Sequence, residues 1–164
     1  MRAFYDANLK LAQLHPAFRF HDLLHPIYTR PRFLPGSRIY DVSLDQVLLS
    51  DGCVVQGAEI QDAVIGIRSM IGDDVVIKDT VVMGADFYED EAYPQMPGAP
   101  LLGIGRGSRI QGAIIDKNAR IGENVVISAF PPNAEVQQEH WEVHEGIVVI
   151  PKNSVIFDGT VIQP

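Results

Sequence analysis

Cys53 is the only cysteine, so no disulfide can form within the chain. That excludes the disulfide-stapled class of small secreted domains and suits a reducing compartment, so a cytoplasmic location is expected. Basic residues are scarce as well: 13 Lys and Arg face 21 Asp and Glu, a formal net charge of −8. A field of that sign disfavours nucleic acid and anionic membranes as bulk partners, while leaving room for a local basic pocket. No apolar run approaches the roughly 18 residues that read as a transmembrane helix. Met1-Arg2-Ala3-Phe4-Tyr5-Asp6 turns polar too early for a signal peptide. A phosphate-cradling loop is also missing. Gly103-Ile104-Gly105-Arg106-Gly107 has the glycines of one, but no helix pattern follows to offer its N-terminus to a phosphate, so a turn is expected. What is there is a chain of 164 residues, 46% hydrophobic, enough for one substantial core.

The positive signal is a short internal repeat. From Ser37 onward an aliphatic residue recurs every five or six positions, with a small or β-branched residue two places earlier. Ser37/Ile39, Val42/Leu44 and Val47/Leu49 begin a first block that continues through Cys53/Val55, Ala63/Ile65 and Ser69/Ile71 to Thr80/Val82. Ser108/Ile110 to Val125/Ile127 make a second block, and Val148/Ile150, Ser154/Ile156 and Thr160/Ile162 a third. Residues two apart in a strand face the same side. Short strands separated by sharp corners therefore wind into a triangular prism, with the aliphatic residue on the axis and the small one where walls crowd. Gly often follows the aliphatic residue, as in Ile65-Gly66, Ile71-Gly72 and Ile121-Gly122, and is expected to relieve the backbone at corners. A helical period of 3.6 cannot give this spacing, and a β-sandwich would show longer strands.

The fold expected is mainly β: a left-handed parallel β-helix over 37–164. Sixteen faces at three per coil make a little over five coils, roughly 25 Å of prism at about 4.7 Å per stacked strand. Two interruptions, near 83–103 and 128–146, read as loops thrown out of the prism, and loops of that length are usually functional or mediate contacts. Residues 1–36 differ. Phe4, Ala7, Leu11 and Ala12 suit a short amphipathic helix, and Pro16, Pro26, Pro31 and Pro35 mark an extended connector.

Hexapeptide β-helices serve many functions, so fold alone assigns none. Several stretches, however, resemble the C-terminal part of glucose-1-phosphate adenylyltransferase, also called ADP-glucose pyrophosphorylase. They are Ala3-Phe4-Tyr5-Asp6-Ala7-Asn8-Leu9, Pro31-Arg32-Phe33-Leu34-Pro35, Val64-Ile65-Gly66-Ile67-Arg68-Ser69 and Gly103-Ile104-Gly105. Two more are Met83-Gly84-Ala85-Asp86-Phe87-Tyr88 and Ile114-Ile115-Asp116-Lys117-Asn118-Ala119-Arg120-Ile121-Gly122. These last two carry the resemblance, because a generic hexapeptide repeat requires neither string.

The resemblance implies an enzyme of glycogen or starch synthesis that joins ATP and glucose 1-phosphate into ADP-glucose and pyrophosphate. In that family the chemistry belongs to an N-terminal nucleotidyltransferase domain. Its phosphate loop, of the form Gly-Gly-x-Gly-[ST]-Arg-Leu, does not occur here, and Mg²⁺ and ATP would belong to that domain. This chain is therefore expected to have no catalytic residues or cofactor of its own, and to partner such a domain in cis or in trans. Regulation and assembly remain: a homo-oligomer, and a site for small anionic effectors such as sugar phosphates, phosphoglycerate, phosphate or sulfate. By the family's motifs, Lys117 of Asp-Lys-Asn-Ala-Arg and Lys152 near the C-terminus are the lysines associated with activator binding. Arg30 and Arg32, in Thr29-Arg30-Pro31-Arg32-Phe33-Leu34-Pro35, stand where further anion contacts occur, although the position of Arg30 is more usually Gln. Other departures are Gly36 for a second Pro after Leu34-Pro35, Pro151 before Lys152, and a shorter, proline-richer segment over 129–139. Lysine supplies a mobile point charge and arginine a fork, the donors a phosphate or carboxylate needs. Lys117 and Lys152 are thirty-five residues apart, about two coils, and are expected to face one groove along a single wall.

The remaining polar residues are read more plainly. Arg68 and Arg120 lie beside corners and are expected to be structural or interfacial. Cys53 takes a small core position, and Glu89-Asp90-Glu91 reads as a solvated loop. No metal site is expected, since none of the five His falls in a rung as zinc ligands on a β-helix would. The alternative function is a stand-alone hexapeptide acyltransferase, with His140 or His144 of the second excursion as general base.

Overall fold

The computed structural model describes residues 1–18, 22, 24–28, 31–89 and 97–164. In chain order they form α1 (Arg2–Leu11), β1 (Arg38–Tyr40), β2 (Ser43–Leu49), β3 (Val54–Gln56), β4 (Glu59–Ile65), β5 (Met70–Ile71), β6 (Val76–Val82) and β7 (Gly103–Ile104). There follow β8 (Arg109–Ile115), β9 (Arg120–Ile121), β10 (Val126–Ile127), β11 (Val136–Gln137), β12 (Glu142–His144), β13 (Ile147–Ile150), β14 (Val155–Ile156) and β15 (Val161–Ile162).

The strands stack as coils of a parallel β-helix. One wall is the six-stranded sheet β1-β3-β5-β7-β9-β14, each pair parallel and in register. The seven-residue strands β2, β4, β6 and β8 each supply two walls, because they bend at Gln46, Asp62, Asp79 and Gly112, all with positive φ. Before the bend, Leu44, Ile60, Ile77, Ile110, Ile127 and Ile162 form one axial ladder. After it, Leu49, Ile65, Val82, Ile115 and Ile150 form another. The third ladder runs Ile39, Val55, Ile71, Ile104, Ile121, Ile156 on the six-stranded wall. The triangular prism expected from the period is what forms.

Two details differ from that reading. Ile104 is an additional axial residue, the fourth of six on its ladder, because the first excursion returns to the prism with Leu102 rather than after Gly103. Leu102 stands where the other levels have Ser37, Cys53, Ser69, Ala119 and Ser154, so the small-residue cue is absent there. Nor do the Ile-Gly glycines supply the corner φ. Gly66, Gly72, Gly105 and Gly122 are not left-handed; a β-carbon on Gly105 would stand 2.6 Å from the Gly122 carbonyl carbon of the next coil. Many left-handed corners are instead Asp or Asn: Asp41, Asp62, Asp74, Asp79, Asn118, Asn124 and Asn153 have φ between 46° and 63°. Short polar side chains tolerate that region better than other L-residues do.

The outside of one wall is also apolar. Leu48, Val64, Val81, Ile114 and Val149 align across five levels, each directly before an axial residue. Tyr5 and Leu9 of α1 lie on this ladder together with Met83 and Ile147. Each large apolar side chain buried this way contributes about 1.5–3 kcal/mol. Tyr5 also donates its hydroxyl to the Asp79 carbonyl at 2.5 Å, and burial first, then the Asp79 carboxylate, push its phenol up to about 12. Arg2 completes the docking by donating to the Glu145 carbonyl at 2.7 Å.

The prism ends are unlike. At the first coil, Ile39 and Leu44 are 45% and 41% exposed, whereas Ile156 and Ile162 of the last coil are 3% and 1%. The second excursion makes the difference. β11 and β12 extend the β13 wall as antiparallel strands, Val143 is fully buried, and Phe130, Ala134, Val136 and Trp141 pack against the axial core. A solenoid end needs such a cap.

His144 braces this cap, contacting Glu135 through Nδ1 at 2.9 Å and Glu142 through Nε2 at 2.8 Å. The Glu135 carboxylate also accepts the Glu145 N–H. Glu142 first and then Glu135 raise the imidazole above its ordinary value, and both carboxyls lie below theirs, Glu135 through the Glu145 N–H first and Glu142 through Gln137 first. A raised His stabilises fully below its unfolded value of about 6.5 and loses that stabilisation as pH rises through the folded one; the carboxylates lose theirs only as pH falls. The cap is thus expected to loosen on the alkaline side, as pH rises above about 6.5 and through the raised His144 value. Fluorescence of Trp141, the only tryptophan, reports it during melts at each pH. A pH dependence that persists unchanged in His144→Gln would remove His144 as its cause.

Candidate anion site

Lys117 and Lys152 occupy equivalent positions on one corner of the prism. Lys117 lies between β8 and β9, Lys152 between β13 and β14, and those strands pair directly. The Asn153 N–H donates to the Lys117 carbonyl at 3.0 Å. The lysines are therefore one coil apart at a corner, not two coils apart along a wall: the second excursion takes up most of the sequence between them. Asn118 and Asn153 follow them in the left-handed conformation, which turns the chain from one wall to the next.

On the preceding coil the chain leaves the prism at this same corner. Gly84 accepts the Asn118 N–H at 3.1 Å, Ala85 donates its N–H to Ile67, and the first excursion begins. Asp86 is thereby set beside both lysines. Lys117 Nζ lies 2.8 Å from Asp86 Oδ1 and Lys152 Nζ 2.8 Å from Oδ2. Asn118 Nδ2 donates to Oδ2 at 3.2 Å, and its Oδ1 accepts the Asp86 N–H at 2.8 Å. Hydrogen bonds from Lys117 first, then Lys152, hold the Asp86 carboxyl far below the usual carboxylate range, and Asp86 raises Lys152 in return. The Asp116 carboxylate is turned to the Lys117 backbone N–H, at 2.6 Å. The lysine side chains are 30% and 48% exposed and Asp86 39%, so solvent reaches the cluster.

Arg32 is exposed in the extended segment before β1, and among the described residues no hydrogen bond or ion pair joins it to the lysines. Arg30 lies outside the described residues. Neither ring nitrogen of His144 is free of a carboxylate partner, and His140 is exposed in the turn between β11 and β12. Among the described residues no group of three or more His, Cys, Asp or Glu side chains is placed to hold a metal ion.

Arg68 and Arg120 anchor the first excursion. Arg68 donates to the Ala85 carbonyl at 3.3 Å and stands 5.9 Å from the centre of the Tyr88 ring, whose hydroxyl reaches the Gly52 carbonyl at 2.7 Å. Arg120 donates to the Pro100 carbonyl at 2.9 Å and pairs with Glu89 at 2.5 Å, the two side chains 7% and 11% exposed. Glu89 also accepts the Leu102 N–H at 2.9 Å. The acidic run is thus not simply solvated: Glu89 turns inward to close the excursion, while Asp90 and Glu91 lie outside the described residues.

Sequence reasoning assigned roles to neither Asp86 nor Asn118, although both fall in the two strings that carried the resemblance. The available signal was an acid four residues after an axial aliphatic, where the periodic pattern stops.

A triangular parallel β-helix, capped at one end and carrying paired lysines at a corner where an excursion departs, defines the class: a hexapeptide-repeat β-helix domain with a local basic cluster on an acidic chain. The chain belongs to the GLGC left-handed parallel beta-helix domain family, whose model matches residues 32–161. It is also 41% identical, over 99% of its length, to the glucose-1-phosphate adenylyltransferase small subunit, chloroplastic/amyloplastic, of Triticum aestivum. The chain spans about a third of that relative, 36% of its length. No helix among the described residues is long and apolar enough to cross a membrane.

Proposed function

We propose that this chain is a regulatory and assembly domain of a glucose-1-phosphate adenylyltransferase of glycogen or starch synthesis, and that it binds small anionic effectors at the Lys117–Lys152 corner. The observation that carries the reading is the convergence of two ammonium groups and the Asn118 amide on the oxygens of one carboxylate. A carboxylate or phosphate of a sugar phosphate, phosphoglycerate, phosphate or sulfate needs the same donors. Arg30 and Arg32 of the connector, in this reading, add guanidinium forks for the same anions. In this reading Mg²⁺ and ATP belong to a nucleotidyltransferase domain in cis or in trans, and this chain alone performs no chemistry. The exposed first coil suits a homo-oligomer or a partner domain, and the lone buried thiol Cys53 suits the cytoplasm or another reducing compartment.

The reading is tested by calorimetric titration of 3-phosphoglycerate, fructose bisphosphate and sulfate. A hydrogen bond to a charged group is worth about 1.5–3 kcal/mol. Lys117→Ala and Lys152→Ala are each expected to weaken binding by at least about tenfold. The absence of heat for every effector, from protein that is correctly folded, would refute it.

A further inference from the structure

We propose that Asp86 is an internal stand-in for the effector: its carboxylate occupies the Lys117–Lys152 corner when no small anion is bound, and it is displaced when one binds, releasing the root of the first excursion. This deepens the anion-site reading and rests on it.

The coil spacing explains the fit. Equivalent residues on adjacent coils stand about 4.7–4.9 Å apart, so Lys117 and Lys152 reach different oxygens of one group. Asp86 gives Oδ1 to Lys117 and Oδ2 to Lys152 and to Asn118. Three of the roughly four acceptor directions of the carboxylate are used, and it stands between the two ammonium groups, so a second anion entering there meets its negative charge until it leaves. Once Asp86 leaves, the two ammonium groups face only the nearby Asp116 carboxylate, which leaves a positive excess. A phosphate dianion neutralises that excess and offers an additional oxygen, so phosphate monoesters are the class best able to win the exchange. The contest is open because all three side chains are solvent-accessible, and exposed ion pairs are individually weak.

Displacement has a route into the fold. The Asp86 N–H is held by Asn118 Oδ1. On either side the chain is pinned, by Ala85 to Ile67 and Arg68, and by Tyr88 to Gly52. Departure of the carboxylate is thus confined to a short span around Asp86, whose N–H loses protection. An anion that needs no displacement would leave that N–H as protected as before.

The test uses the 164-residue chain, inorganic phosphate and constant ionic strength. Phosphate affinity is measured by calorimetry in the parent, in Asp86→Asn and in Asp86→Ser. Hydrogen exchange of the segment 84–89 is followed in the parent. Removing the competitor is expected to tighten phosphate binding by about tenfold or more, since apparent affinity falls with the fraction of open sites. In the parent, phosphate is expected to speed exchange at Asp86. Loss of a nearby negative charge would also tighten binding, but it would not speed that exchange. The Lys117→Gln/Lys152→Gln form is expected to bind in neither background. Equal affinities in parent and variants, or slower exchange with phosphate, overturn the competition while leaving the site. Absence of phosphate binding to parent and variants alike overturns the anion-site reading itself, and the competition with it.

Discussion

Ile121→Ala is expected to lower stability by about 3–4 kcal/mol, because an axial isoleucine removed from the prism leaves a hole that the walls cannot close. Ile121 is fully buried between Ile104 and Ile156 of its ladder. Parallel hydrogen bonding holds the coils at a set spacing, so neighbouring backbones cannot sink toward the axis, and the relaxation that makes some cavity variants cheap is blocked. Urea denaturation reads the effect as a lower midpoint at unchanged slope. Ile39→Ala is the control: that side chain sits on the same ladder at the open end, 45% exposed, and its loss is expected to cost under about 1 kcal/mol. Equal costs at the two sites would contradict a closed axial core.

The second large effect is expected at Arg120. Removing it strands the Glu89 carboxylate at a position where its side chain is 11% exposed, and breaking a buried pair in this way costs about 3–5 kcal/mol when nothing relaxes. The excursion has an alternative: it can leave the prism and return Glu89 to water. Arg120→Ala is therefore expected to show both a lower melting temperature and faster proteolysis in 97–102, the detachment limiting the loss to about 3 kcal/mol. Combining Arg120→Met with Glu89→Leu replaces the pair with apolar groups of similar volume, and is expected to recover stability to within about 1 kcal/mol of the parent. A single variant with unchanged melting and unchanged proteolysis would show that the pair does not pin the excursion.

These two sites differ in how far they can be read from sequence. Ile121 is one of a run of aliphatic residues with small partners two places earlier, a local pattern that two-residue alternation and sharp corners make legible. Ile104 escaped that pattern because Leu102 takes the small-residue place. The outer ladder was also legible in principle: Val64-Ile65, Val81-Val82, Ile114-Ile115 and Val149-Ile150 are apolar doublets. The first member of each faces outward, and only a covering element such as α1 accounts for it. Arg120 was read as structural from its place beside a corner, but its partner Glu89 sits in an acidic run that composition assigns to solvent.

Lys117 and Lys152 show the same division. Their family motifs singled them out, and the triangular prism follows from the period, since each strand's alternation and each corner's turn depend on residues close in the chain. Sequence alone thus determined the β-helix, its ladders and two of the cluster's residues. Tertiary structure decided that the lysines stack on adjacent coils, and that the group between them is Asp86, 31 and 66 residues away. It also decided that one end of the prism is closed while the other is open. The physical reason is that excursions do not count toward coil number. Their length separates residues in sequence without separating them along the prism, so which corner an excursion leaves and where its side chains return depend on the stack as a whole.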